Sequence, residues 1–288
     1  MSGAPKKLEL NRPPAAPGSM ELRIDQLATL VPYELRRNFL RSRVFILFLL
    51  AALPVLLLLI RALFPHDDIA ADLGVGSLFY AVVYQTFIAR FVVFFGCLAV
   101  FTELFRSEVS DQTLHYYFLV PMRREVLVLG KFISGLLTTI IVFSGTVLFS
   151  WLLLLAPHGR REAMAFMFDG PGMNHLLSYL GATVLACIGY GAIFMALALF
   201  FRNPVIPAAL FFGWEWINFF LPELLKKISV THYLESLMPI AIDKGPFALI
   251  VDPAPVWVAV PGLLALAAVS LALCAFAVRR MQIRYESS

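Results

Sequence analysis

Charge is scarce in this chain, and the motifs that would make it an enzyme are missing. Charged residues form 15% of the 288 and hydrophobic residues 60%, against about 25% and about 45–50% in soluble domains. With a mean hydropathy of +0.82, the composition excludes a soluble globular class and leaves an integral membrane protein. No His-Glu-x-x-His pair is present for an intramembrane metalloprotease, and no Gly-x-Ser-x-Gly elbow for a serine hydrolase. Gly130-Lys131 lacks the upstream Gly of a phosphate-binding loop, so ATP binding by that route is not expected. Three cysteines, Cys97, Cys187 and Cys274, sit far apart in apolar runs. Their spacing gives neither a metal motif nor a disulfide framework, and they read as small core residues.

What is present is apolar sequence in spans. A bilayer core of about 30 Å needs roughly 20 helical residues to cross it. Six runs approach that length: Val44–Phe64, Leu78–Phe101, Phe132–Ala156, Leu176–Phe201, Val205–Leu221 and Val256–Val278. The expected fold is therefore all-α, one six-span domain over residues 44–288. Residues 1–19, rich in Pro, Gly and Lys, read as a disordered tail and not as a signal peptide. Residues 20–43 read as an amphipathic interfacial helix. Its apolar positions are Ile24, Leu27, Val31, Leu35 and Phe39, with Arg36, Arg37, Arg41 and Arg43 between them, and Pro32 should break or kink it. A plain basic flank orienting the first span explains the same residues.

Basic residues cluster beside the spans, so the net charge of +4 implies membrane topology and not nucleic acid. Placing the N-terminus inside puts 16 of the 23 Lys and Arg on the cytoplasmic face, with both termini there. The fourth and fifth spans, joined only by Arg202 and Asn203, must be antiparallel neighbours. Pro204 and Pro207 suit the first turn of the fifth helix. After Pro222, residues 222–240 read as two amphipathic pieces, interfacial or re-entrant, on the outer face.

Two charges fall within spans. Arg90 and Glu215 lie at similar depths, about 18 and about 20 Å from the inner boundary at helical rise. A lone charge there costs at least about 2.5–3.5 kcal/mol. Pairing across the second and fifth helices would offset that cost, as would a shared aqueous cavity. Snorkelling or separate hydrogen bonds are the alternatives. On the loop between the third and fourth spans, His158, Met164, Met167, Met173 and His175 would suit soft copper. The same residues also suit an interfacial loop with Met filling apolar gaps, and no metal site is assigned.

One segment stands apart, the polar, amphipathic stretch Glu103–Lys131 between the second and third spans. It carries Glu108, Gln112-Thr113-Leu114, Pro121, Arg123-Arg124 and Gly130-Lys131. This resembles the cytoplasmic loop of ABC transporter permeases of the type-2 exporter superfamily, where an acidic residue, Gly-Thr-Leu, Pro, Arg and Gly-Lys recur. Gln112 departs from the family's Gly. The basic Glu34-Leu35-Arg36-Arg37 helix is similar to the family's connecting helix.

The resemblance implies a coupling helix over Glu103–Phe118 that seats in a cleft of a separate cytosolic ATPase. Glu103, Arg106, Glu108 and Asp111 would form its charged face, and Leu104, Phe105, Leu114 and Tyr117 its apolar face, with Thr113 in the motif. Two ATPase copies, binding ATP and Mg, would drive a dimer of permease chains in the plasma membrane. The chain itself would hold no cofactor and catalyse nothing. The competing reading is an ion-coupled secondary transporter or channel using Arg90 and Glu215. An intramembrane enzyme, the third class, lacks its motifs.

Overall fold

The computed structural model describes residues 20–40, 44–64, 72–110, 124–217, 222–242 and 255–280, and no strand occurs among them. Five helical stretches are long and apolar enough to cross a membrane: Phe45–Leu63, Leu73–Leu104, Arg124–Leu155, Gly172–Phe200 and Val256–Arg279. The sixth apolar run forms a shorter helix over Val205–Ile217. Its 13 residues reach about 20 Å, short of the bilayer core. Leu221, the expected end of that span, lies outside the described residues.

In chain order the elements are α1 (Met20–Leu40), α2 (Val44–Leu63), α3 (Leu73–Val82), a π-helical stretch (Val83–Val93) and α4 (Phe94–Ser110). There follow α5 (Arg124–Leu155), α6 (Arg160–Met164), a short π-helical turn (Ala165–Asp169), α7 (Gly172–Phe200), α8 (Val205–Ile217), α9 (Glu223–Lys226), α10 (Val230–Glu235) and α11 (Val256–Arg280). Helices α5 and α7 form the centre. α7 packs on α4, α5 and α11, while α1 and α2 lie against α5. α2 and α11 are the least buried spans, and their exposed Phe45, Leu49, Leu56, Trp257, Val269 and Phe276 form apolar outer faces.

Small residues let the central helices approach closely, as packing in lipid requires. Gly96 faces the Phe143 ring of α5, and Gly191 of α7 sits against the Phe101 ring of α4. Large aromatics fill what remains. Tyr80, Tyr84, Tyr179 and Trp151 form one buried cluster. Within it the Tyr84 hydroxyl donates to the Tyr179 carbonyl at 2.9 Å and shares a 2.8 Å bond with Thr183 Oγ1. Phe94, Tyr190, Phe194 and Phe212 form another. The three cysteines are buried and free, as expected of small core residues.

Three expectations need correction. First, α5 begins at Arg124, well before Phe132, so Gly130 and Lys131 are helical and not part of a loop. The helix extends because Val126, Leu127, Val128 and Lys131 are buried there, where α1 packs. Second, of the break or kink expected at Pro32, the break does not occur, and α1 continues past it. The carbonyl it leaves without an intrahelical donor is that of Ala28, and both residues are on the exposed side. Third, the inward stripe of α1 is not the purely apolar one. It includes buried Glu34 and Asn38 together with Leu27 and Leu30, while Ile24 points outward.

The joint between α7 and α8 is as tight as its length demands. Asn203 Oδ1 accepts from the Val205 N–H at 3.3 Å, satisfying one free donor at the start of α8. The two helices touch as antiparallel neighbours must.

Candidate functional site

The first site is at the end of the bundle that carries α1. Lys131 is wholly buried, and its Nζ lies 3.2 Å from Glu34 Oε1 on α1. Arg37, one turn on, lies 3.5 Å from the same oxygen. Below this pair, Asn38 Nδ2 donates to Thr138 Oγ1 at 3.5 Å, and Thr138 donates back to the Ser134 carbonyl at 2.8 Å. Gly130 completes the seat, because any Cβ there would overlap Leu30 of α1. The Gly-Lys pair thus docks the N-terminal helix onto α5. Gly provides the close approach and Lys the buried countercharge.

The two ends of the polar segment lie on described helices. Glu103 is half-buried and Leu104 buried on α4, and the helical backbone continues through Phe105, Arg106 and Glu108 to Ser110. Asp111, Thr113, Leu114, Tyr117, Pro121 and Arg123 lie outside the described residues. Arg124 opens α5, and its Nη1 donates to the Val278 and Arg279 carbonyls at 2.8 and 3.0 Å. That places a cation on the last carbonyls of α11, where it satisfies free acceptors and opposes the helix dipole. An ion pair between Arg279 and Glu125 lies beside it. One cluster therefore ties α1, α5 and α11 at the mouth of the segment.

The second site surrounds the two intramembrane charges, and the structure gives each its own partner. Arg90 Nη2 lies 3.5 Å from Glu235 Oε1 on α10, and its guanidinium is 5.7 Å from the centre of the Trp216 ring. Glu215 instead anchors the start of α10. Its carboxylate accepts from Ser229 Oγ at 2.7 Å, from the Val230 N–H at 2.8 Å and from the Thr231 N–H at 3.1 Å. Ser229 Oγ in turn accepts from the His232 N–H at 3.3 Å, capping α10. An Arg90–Glu215 ion pair is therefore not formed. The backbone turn at residues 229–231 reaches Glu215 first and satisfies it more fully than one guanidinium would.

This arrangement explains how residues 222–240 hold irregular backbone beside spans. Val230 and Leu234 are buried in the core, and α10 packs against α7 and α11. Protein covers the turn, the condition under which such backbone is tolerated. Gln85 Nε2 reaches the Ile240 carbonyl at 2.8 Å and fixes the far end of the segment. Between these anchors lies a cavity of about 210 Å³, lined by Gln85, Thr86, Ala89 and Arg90 of the π-helical stretch and by Trp216, Thr231, Leu234, Glu235, Met238 and Ile242. Winding that returns each N–H to the fifth preceding carbonyl is uncommon and often marks functional positions.

The Met and His segment between α5 and α7 carries a different chemistry. Met167 Sδ accepts from Trp151 Nε1 at 3.2 Å, so this thioether packs as a core atom. Met164 is exposed. Among the described residues no group of three or more His, Cys, Asp and Glu is placed to hold a metal.

Sequence reasoning passed over Gln85 and Glu235, and reached Glu34 only as part of the basic motif of the connecting helix. Glu34 stands four residues before Asn38, a polar pair on one face of the helix. Glu235 and Gln85 act across sequence separations of 145 and 155 residues, and no local signal joins them to their partners.

A family model described as an ABC-2 family transporter protein matches residues 36–214. The match begins in α1, spans α2 to α7 and ends one residue before Glu215. No curated protein matches the chain. The chain belongs to the ABC-2 family of transporter proteins, as a multi-pass membrane permease.

Proposed function

We propose that this permease is the transmembrane half of an ATP-driven exporter, moved by a separate cytosolic ATPase that seats on Glu103–Phe118. The observation that carries the reading is the construction of the α1 end. The polar segment is flanked by α4 and α5, and α5 is latched to α1 by the buried Lys131–Glu34 pair and to α11 by Arg124. A force applied to the segment would reach helices on both sides of the bundle through rigid, hydrogen-bonded contacts. The Lys and Arg distribution supports a cytoplasmic location for this end and for both termini. The permease would work as a dimer in the plasma membrane, with two ATPase copies holding ATP and Mg. Its substrate path would run between the two chains along parts of α2, α3 to α4 and α8.

The test is purification of the tagged chain from its native membrane in mild detergent, with mass spectrometry of what elutes beside it. The reading expects a roughly stoichiometric partner with a nucleotide-binding motif, lost on reversing Glu103, Arg106, Glu108 and Asp111 together. Elution alone from a membrane known to hold the intact complex would refute it. An ion-coupled carrier is the second reading, favoured by one observation: Arg90, on a span, and Glu235 line one cavity.

A further inference from the structure

We propose that the cavity between the π-helical stretch and α10 binds a zwitterionic group, with Arg90 receiving its anionic end and Glu235 its cationic end. Both charges line the same cavity. About a fifth of each side chain remains exposed. Their separation of 3.5 Å exceeds the about 2.7–2.9 Å of a well-formed charge-assisted bond. A ligand that brings one charge of each sign would shorten both contacts without leaving either group uncompensated. A purely anionic or purely cationic ligand would satisfy one charge while opposing the other, a costly arrangement away from bulk water.

The remaining lining suits such a guest. The Trp216 ring lies under the Arg90 guanidinium and holds it at the cavity wall. Thr86 and Thr231 add hydroxyls, while Leu234, Met238 and Ile242 supply an apolar wall. A volume of about 210 Å³ accommodates a headgroup-sized moiety and not a bulky drug. The walls are held independently of the ion pair: α10 is pinned by Glu215 and the turn beyond it by Gln85. The site is thus preorganised, which lowers the cost of binding. The shared chemistry is a zwitterion, whether a lipid headgroup or a free solute, and the binding stands without reference to the ATPase.

The test uses the full chain purified in a neutral sugar detergent, with binding followed by calorimetry. Probes are short-chain phosphatidylcholine, short-chain phosphatidylglycerol, an alkyl trimethylammonium and free glycerophosphocholine. The zwitterionic lipid should bind at least about 10-fold more tightly than the anionic or cationic probe. Comparable affinity for glycerophosphocholine identifies a free zwitterion as sufficient, whereas its failure beside a binding lipid assigns the site to a headgroup with its chain. Arg90→Gln should shift preference towards the cation and Glu235→Gln towards the anion, opposite changes that a merely structural role would not give. Met238→Trp, which fills the cavity and leaves both charges, should abolish binding of every probe. The wild-type comparison needs no variant to fold. Equal affinity for all the lipid-like probes, no binding of either zwitterion, or binding unaffected by Met238→Trp would overturn the proposal.

Discussion

Removing the amino group of Lys131 should release α1 from the bundle. Lys131 has no exposed side-chain surface and Glu34 retains about 3%. Lys131→Met keeps the length of the side chain but leaves Glu34 buried without that countercharge. Deleting one partner of a buried ion pair costs about 3–5 kcal/mol. The loss falls on one docked helix, so it should appear as local opening and not as global unfolding. At 1.4 kcal/mol per decade it corresponds to amide exchange in α1 at least about 100-fold faster. Hydrogen exchange read by mass spectrometry over peptides from Met20–Leu40, with peptides from α7 as the internal standard, measures it directly. Glu34→Gln together with Lys131→Met removes both charges and should recover most of the protection, because an apolar replacement of a buried pair is often close to neutral. An α1 exchange rate within about threefold of wild type in the single variant would refute the reasoning. So would a double variant that loses as much as the two single variants added together.

Other outcomes follow from the same contacts. Glu215→Ala strips three acceptor contacts from a buried turn and should destabilise the detergent-solubilised protein by at least about 3 kcal/mol in thermal unfolding, with Glu215→Gln losing less; an unchanged melting temperature would contradict the capping role. Gly191→Leu would drive a side chain into the Phe101 ring between α4 and α7 and should lower yield and melting temperature sharply, whereas Gly213→Leu, with open space around it, should be tolerated. Arg124→Ala leaves the last carbonyls of α11 without their guanidinium donor and should fray that end by about 1–2 kcal/mol, seen as faster exchange confined to the last turn of α11.

Much of the architecture is legible in the sequence, because spans are written in long apolar runs that bilayer thickness reads directly. The positions of α2, α7 and α11 follow from them within a few residues. The hairpin at Arg202–Asn203 follows from its length alone. The start of α5 does not, because Arg124 to Lys131 is too polar to count as a span and becomes buried only through α1. Composition places Lys131 in a loop, whereas one tertiary contact with Glu34 puts it inside a helix. The same limit applies to Arg90. Depth matching finds two charges at one level, and the nearer acid, Glu235, comes from a segment whose return towards α7 is set by the turn on Glu215. The π-helical winding of Val83–Val93 has no counterpart in apolar periodicity, which reads that stretch as an ordinary span.

The central claim is that movement in this permease is driven by ATP hydrolysed elsewhere. The direct measurement is ATP hydrolysis by the chain co-purified with its partners and reconstituted in liposomes, before and after collapse of all ion gradients. Hydrolysis that persists without gradients and disappears when the Glu103–Asp111 charges are reversed is the predicted result. Absent hydrolysis, with solute movement that follows an ion gradient and depends on Arg90 or Glu235, would contradict the account.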